Sequence, residues 1–279
     1  MRIAVIGGGT MGEAMVKCFL TRKVATPQDI TVSDMSLPRR EWISKEYGVS
    51  SLADNGKAVV GADLVILAVK PSDLFKVMED ILKASSLQAR ALILSIVAGA
   101  TLSSLCHGLD HSAVIRAMPN MPAQIGEGIT VWTATAEVDH KQKQSVRSLL
   151  GSLGEEVYVT EEKYLDMATA LSGSGPAYVF LFVEALIDAG VHIGLPRNIS
   201  QELVMQTILG ATHALRETGK HPAELRNMVT SPGGTTAEAL LQLEKANFRS
   251  SIVEAVVIAC DKAKRLSASV SERKELKKD

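Results

Sequence analysis

The stretch Ile3-Ala4-Val5-Ile6-Gly7-Gly8-Gly9-Thr10-Met11-Gly12 constrains the fold more than any other in the chain. A short β-branched run passes straight into GxGxxG spacing. The segment after it carries Met11, Met15, Cys18 and Phe19 at helical intervals. This is a strand, a tight turn and a helix. In such a turn Gly7 permits the bend, Gly9 lets the backbone approach a pyrophosphate, and Gly12 allows close helix–strand packing. The helix N-terminus then offers N–H groups and the positive end of its dipole to an anion. The same glycines also suit a turn that holds no ligand.

The pattern recurs through the first half. Ile30 to Val32, Leu64 to Val69, Leu92 to Val97, Val114 to Ile115 and Ile129 to Trp132 read as further strands. Pro38 to Tyr47 and Asp139 to Leu153 read as helices between or after them. The alternation predicts an α/β fold, a Rossmann-like, mostly parallel, doubly wound sheet. Beyond about Val159 the strand signal ends. Ala177 to His192, Asn198 to Glu217, Thr236 to Lys245 and Ser250 to Leu266 carry helical periodicity, with Pro176, Pro196, Pro222 and Pro232 near their starts. The expected division is therefore an α/β domain over 1–160 and an all-helical domain over 161–279. Ser267 to Asp279 is rich in Ser, Lys and Glu and is expected to fray.

Composition removes several alternatives. With 30 Lys+Arg against 31 Asp+Glu the net charge is −1, so there is no basic excess for binding nucleic acid. Hydrophobic residues make up 46%, too many for a disordered chain. Cys18, Cys106 and Cys260 lie far apart with no CxxC pair, so neither a disulfide framework nor a zinc site is expected. His107 and His111 have i, i+4 spacing, but Gly108 between them is expected to interrupt any helix, and no metal site is assigned. The longest apolar run, Ala177 to Val183, is far short of the ~20 residues that span a bilayer. The expectation is a soluble cytoplasmic protein with no membrane partner.

Several segments fall where strands should end. Asp34 lies about 20 residues beyond Gly12, where an acidic residue binds the ribose 2′-OH of NAD. Arg39 and Arg40 follow closely and could instead hold a 2′-phosphate, or form a solvated helix face. Ala68-Val69-Lys70-Pro71, Ser95 to Gly99 and Met118-Pro119-Asn120-Met121-Pro122 all fall at one sheet edge, the carboxyl edge where doubly wound folds bind ligands. In the helical part, Ser172-Gly173-Ser174-Gly175-Pro176 reads as a helix–helix turn capped by Ser174 or Gly175. Thr230-Ser231-Pro232-Gly233-Gly234-Thr235-Thr236 is more informative. Two glycines there can aim successive N–H groups at one anion, and Thr235 with Glu238 fits a capping box.

Taken in order, Gly7 to Gly12, Ala68 to Pro71, Met118 to Pro122, Ser172 to Tyr178 and Val229 to Thr236 resemble the pyrroline-5-carboxylate reductases, over nearly the whole chain. The resemblance implies hydride transfer from NADPH or NADH to the C=N bond of 1-pyrroline-5-carboxylate, giving L-proline. It also implies a helical domain that interlocks in a homodimer, with dimers assembling into decamers. An active site joining the cofactor edge to helical-domain loops, the partner's among them, is implied as well. On this resemblance the cofactor meets Gly7, Gly8, Gly9, Thr10, Met11, Gly12, Asp34, Asn55, Ala68, Val69, Lys70, Pro71 and Ala98. The substrate meets Glu162, Ser231, Gly234, Thr235 and Thr236, with Thr236 as the catalytic contact near the ring nitrogen. Two positions depart from the family pattern. Asp34 stands where NADPH-using members often carry Ser, Asn or Arg, and Met121 stands where Thr is usual.

Two other protein classes share part of this pattern. A β-hydroxyacid-type dehydrogenase shares the GxGxMG turn but requires a Lys one helical turn beyond the second-domain glycines, and Pro176 to Glu184 contains none. A dinucleotide-binding sensor without catalysis would have no need of the Ser231–Thr236 loop. The aliphatic surplus of Ala177 to Ile193, Leu203 to Leu215 and Ile252 to Ala259 exceeds what a small helical region can bury by itself, which points to a subunit interface.

Overall fold

The computed structural model describes residues 1–272. The chain begins as alternating strands and helices: β1 (Ile3–Ile6), α1 (Thr10–Thr21), β2 (Ile30–Ser33), α2 (Leu37–Tyr47), β3 (Ser50–Leu52), α3 (Asn55–Ala58) and β4 (Leu64–Leu67). It continues through α4 (Leu74–Lys83), β5 (Leu92–Ser95), α5 (Leu102–Leu109), β6 (Val114–Met118), β7 (Gly128–Ala134), α6 (His140–Gly151) and β8 (Gly154–Tyr158). Every later element is helical: α7 (Lys163–Ala168), a π-helical turn (Thr169–Gly173), α8 (Gly175–His192), α9 (Arg197–Thr218), α10 (Pro222–Met228), α11 (Thr235–Lys245) and α12 (Phe248–Glu272).

Among the described residues the strands form one sheet in the order β3-β2-β1-β4-β5-β6-β7-β8. Each neighbouring pair is parallel except β6–β7. The order reverses between β1 and β4, which creates the crevice where such folds take ligands. Alternating side chains fill both faces. Ile3 and Val5 join Met15, Val16 and Phe19 of α1 on one side. Ala4 and Ile6 join Leu74, Val77, Met78 and Ile81 of α4 on the other. Strands buried on both faces lack polar alternation, which is why β1, β4 and β5 stand out as continuous apolar runs.

Two strands had no such signal. β3 and β8 are the edge strands, partly exposed, and carry Ser-Ser-Leu and Gly-Glu-Glu-Val-Tyr. Gly108 does not interrupt a helix but lies inside α5. A Cβ there would meet Met78 at 2.6 Å, so glycine lets α5 lie close against α4. Ser267 to Glu272 are helical rather than frayed, as the end of α12. The remainder of that segment, 273–279, lies outside the described residues.

The chain packs as two compact units, Met1–Ser174 with the segment from Ala259 onward, and Gly175–Ile258. The sheet ends at Tyr158, close to the expected division at residue 160, but α7, the π-helical turn and the end of α12 pack with the sheet. Within the second unit α8 and α9 cross closely. Ser200 Oγ donates to Ile187 O at 2.8 Å, and a Cβ on Gly190 would sit 2.1 Å from that hydroxyl oxygen. No apolar side chain of this unit is buried within one chain. Phe180, Leu181, Leu203, Val253 and Ile258 are among those more than half exposed. The helical stretch Lys163–His192 is long and apolar enough to cross a membrane, by length and composition alone, a property that the short run Ala177 to Val183 does not reveal.

Candidate active site

The turn after β1 is shaped by its glycines. Gly7 has a φ of +104°, and its N–H donates to Ser33 O at 2.7 Å. A Cβ there would lie 2.6 Å from Ala68 O. A Cβ on Gly12 would lie 2.0 Å from Gly7 O, so α1 can start this close to β1 only with glycine. Gly9 is different. It is exposed, a Cβ on it would meet nothing within 4 Å, and as N-cap of α1 it offers no side-chain cap to the first N–H groups. That open cradle at a helix N-terminus fits a dinucleotide pyrophosphate.

Beside it lies a cavity of about 480 Å³, within the range of small-molecule sites. Of the residues expected to hold cofactor, Gly7, Gly9, Asp34, Asn55, Ala68, Val69 and Lys70 line it. Pro71 and Ala98 line a smaller cavity of about 250 Å³ with Phe75, Leu266 and Val270. Gly8, Thr10, Met11 and Gly12 line neither: Gly8 and Gly12 are buried, Thr10 is exposed and Met11 is half-buried in α1. Ser33, Asp73, Lys76 and Asp80 also line the larger cavity and were missed. For the last three the signal was the i, i+3, i+7 spacing of Asp73, Lys76 and Asp80 directly after Pro71, which puts them on one face at the start of α4.

Polar contacts fix these walls. Asp34 Oδ2 accepts the Gly8 N–H at 2.9 Å, and Oδ1 accepts the Ser36 N–H at 2.8 Å. Ser33 Oγ donates to Asn55 Oδ1 at 2.6 Å. Arg39 donates to Gly8 O and pairs with Glu13, and its guanidinium lies 4.8 Å from the Trp42 ring. Glu13 also accepts from Tyr47 Oη at 3.0 Å. Burial and this carboxylate push the Tyr47 hydroxyl up to about 12. Arg40 Nη1 donates to the carbonyls of Asp34 and Met35.

Glu162 is held by a charge cluster around a buried arginine. Arg116, only 4% exposed, sits on β6. It donates to Glu162 Oε1 at 2.9 Å and to Asp166 Oδ1 at 2.6 Å. Glu162 Oε1 also accepts the Leu102 N–H at the start of α5, and Ser267 Oγ donates to Asp166. Arg116 was overlooked, although an arginine inside the run Val-Ile-Arg-Ala-Met is a signal that a buried charge has partners. Nearby, Asn120 accepts the Ile129 N–H and donates to Ser172 O, and Met121 opens a 3₁₀ turn, 43% exposed.

In the second unit, the capping box expected at Thr235 is absent. α11 begins one residue earlier, with Gly234 as N-cap and no side-chain cap. Gly233 has a φ of +67°, and the Gly234 N–H closes the turn onto Ser231 O at 3.1 Å. A Cβ on Gly234 would lie 2.5 Å from Ser231 Oγ. Both glycines are therefore needed to fold the turn back, and the helix starts where they place it. Ser231 and Thr235 are exposed and Thr236 is half-buried. The Ser172–Pro176 segment is not a turn either, since the helix runs on through π-helical Thr169–Gly173 into α8.

Among the described residues no group of three or more His, Cys, Asp or Glu side chains could hold a metal ion. His107 Nδ1 lies 2.7 Å from Ser103 O and His111 Nε2 lies 2.6 Å from Ala91 O, each against a backbone carbonyl. Burial, with Glu137 and Glu162 nearby, pushes the Cys106 thiol up, away from nucleophilic use.

A doubly wound sheet with a glycine cradle at its switch point, beside a cavity that an acidic residue lines, is the dinucleotide-binding arrangement of the NAD(P)-dependent oxidoreductases. Residues 2–99 match the family described as NADP oxidoreductase, coenzyme F420-dependent, and residues 162–266 match the one described as pyrroline-5-carboxylate reductase dimerisation. The pyrroline-5-carboxylate reductase of Synechocystis sp. is 40% identical over 266 residues, 95% of this chain and 98% of that one. The solved pyrroline-5-carboxylate reductase of Coxiella burnetii has a TM-score of 0.86 at 36% identity, covering 95% of this chain and 98% of that one. The pyrroline carboxylate reductase of Plasmodium falciparum, solved with NADP bound, has a TM-score of 0.87 at 31% identity, covering 96% and 98%. The chain belongs to the pyrroline-5-carboxylate reductase family.

Proposed function

We propose that the protein reduces the C=N bond of 1-pyrroline-5-carboxylate to give L-proline, the last step of proline biosynthesis, using NADPH or NADH. The observation that carries this reading beyond a generic dehydrogenase is the turn Ser231 to Thr236. It leaves the N-terminus of α11 without a side-chain cap and surrounds it with hydroxyls, which suits a small carboxylate. In this reading the substrate carboxylate meets Ser231 and the backbone of Gly234, Thr235 and Thr236. The Thr236 hydroxyl hydrogen-bonds near the ring nitrogen. Glu162 is the further substrate contact of this reading, with its Oε1 accepting from Arg116 and Leu102.

Gly7, Gly8, Gly9, Thr10, Met11 and Gly12 cradle the cofactor, with Asp34, Asn55, Ala68, Val69, Lys70, Pro71 and Ala98 along its length. A reduced nicotinamide bound there supplies the hydride. The protein's own task is modest in acid–base terms. A protonated imine is already electrophilic, and the nitrogen keeps its proton as the carbon accepts the hydride. What remains is to orient the two carbons at ~3–3.5 Å and exclude water. In this reading 1–160 serves the cofactor and 161–279 serves substrate and self-association. The exposed apolar helices, including Lys163–His192, are read as subunit interface rather than membrane span. We place the enzyme in the cytoplasm as a homodimer that assembles into decamers.

The test is oxidation of NADPH or NADH by purified protein with 1-pyrroline-5-carboxylate, followed at 340 nm. Turnover with either cofactor is expected, and a rate equal to the enzyme-free control removes the reading. Thr236→Ala is expected to lower turnover roughly 10²-fold, the scale of losing one well-placed donor, while cofactor affinity stays nearly unchanged.

A further inference from the structure

Resting on the dinucleotide reading above, the structure assigns a cofactor preference: we propose that Asp34 makes this protein bind NADH in preference to NADPH. The two cofactors differ only at the adenosine ribose, where one carries a neutral 2′-hydroxyl and the other a doubly negative phosphate. Asp34 lies directly beyond β2, where that ribose binds in a doubly wound fold. Its two oxygens each accept one backbone N–H, from Gly8 and from Ser36, which fixes the carboxylate in place. Each oxygen keeps acceptor capacity for a ribose hydroxyl. A 2′-phosphate there would meet a fixed negative charge.

The two arginines that follow Asp34, and Lys76 on the cavity wall, are committed to partners of their own. Arg39 and Arg40 follow Asp34 closely, yet neither lines the cavity. The Arg39 guanidinium is taken up by Glu13, the Gly8 carbonyl and the Trp42 ring. Turning it toward a phosphate would break charge-assisted bonds to both oxygens. Arg40 is tied to the Asp34 and Met35 carbonyls. Along the cavity wall Lys76 pairs with Asp80 at 2.5 Å. The wall carries Asp34, Asp73 and Asp80 against Lys70 and Lys76, which favours the less charged ligand.

The experiment is direct titration of the protein with NADH and with NADPH, without substrate, followed by calorimetry or nicotinamide fluorescence. NADH is expected to bind at least about tenfold more tightly, since one unscreened charge contact exceeds that ratio. Asp34→Asn removes the charge and keeps an acceptor oxygen for the turn. It is expected to narrow the ratio mainly by tightening NADPH, with an unchanged circular dichroism spectrum. Asp34→Ser is a second variant with the same expectation. Equal affinities, or tighter NADPH binding, in the unaltered protein overturn the preference while leaving the reductase reading intact. An unchanged ratio in both folded variants overturns the role of Asp34. Failure to bind either cofactor overturns both this inference and the reading it rests on.

Discussion

Three of the four glycines between Gly7 and Gly12 have different physical reasons to be there. Gly7 is required by its positive φ and by Ala68 O, Gly12 by the carbonyl of Gly7, and Gly9 by neither. Substitution should separate them. Gly12→Ala is expected to destabilise the fold by about 1–3 kcal/mol, as overpacking against backbone does. Gly9→Ala should cost no more than about 1 kcal/mol, the difference between Gly and Ala at an N-cap, and weaken dinucleotide binding, because the added methyl enters only the open cradle. Urea unfolding with cofactor titration reads both. Tyr47 gives a pH prediction. Its hydroxyl is pushed up to about 12 from a usual 10.0. The proton is therefore held more tightly in the folded state, and the stability it contributes is full below pH 10 and lost as pH rises toward 12. The stability difference between the native protein and Tyr47→Phe should accordingly shrink across that window. A constant difference from pH 9 to 11 would show that the Glu13 contact does not hold this proton.

At the scale of elements, the apolar strands announce themselves and the edges do not. β1, β4 and β5 are flanked on both faces, so every residue is apolar or small. β3 and β8 gain their strand conformation from a single neighbour, which a local sequence pattern does not record. The same limit hid the cluster around Arg116. It ties β6 to the start of α5, to α7 and to the end of α12, across 151 positions between Arg116 and Ser267. Removing the buried arginine leaves the half-buried Glu162 and Asp166 carboxylates uncompensated. Arg116→Ala should therefore cost about 3–5 kcal/mol in urea unfolding. A loss under about 1 kcal/mol would mean that the carboxylates are solvated. The glycine turn before α11 shows the opposite case. Its sequence was legible as a special turn, but the cap was misplaced by one residue, because the fold-back of Gly234 onto Ser231 decides where the helix starts.

For the whole molecule, the decisive feature is a helical unit whose apolar side chains find no interior within one chain. A patch of that size needs a cover, and the family match over residues 162–266 identifies it as self-association. Leu181, 67% exposed on α8, is a direct probe. A charge at this position would be buried without a partner. Leu181→Glu is expected to weaken association by roughly 2 kcal/mol or more, about 30-fold in Kd, and to shift sedimentation toward smaller species. Unaltered sedimentation at micromolar concentration would place the interface elsewhere on the helices.

The amino-acid sequence by itself determined the class of fold, the glycine turn after β1 and the family. Each rests on short-range information: periodicity of apolar residues, glycines at fixed spacing, and motifs in order along the chain. Tertiary structure decided what depends on residues distant in sequence. It joined the edge strands to the sheet, drew Arg116, Glu162, Asp166 and Ser267 into one cluster, and put α7 and the end of α12 with the sheet. It also turned both arginines after Asp34 onto partners of their own. The sequence offers Asp34 and two arginines as equal alternatives, because ionised side chains are judged by which partners they reach. Only the folded chain fixes those partners, and it leaves the carboxylate facing the cavity.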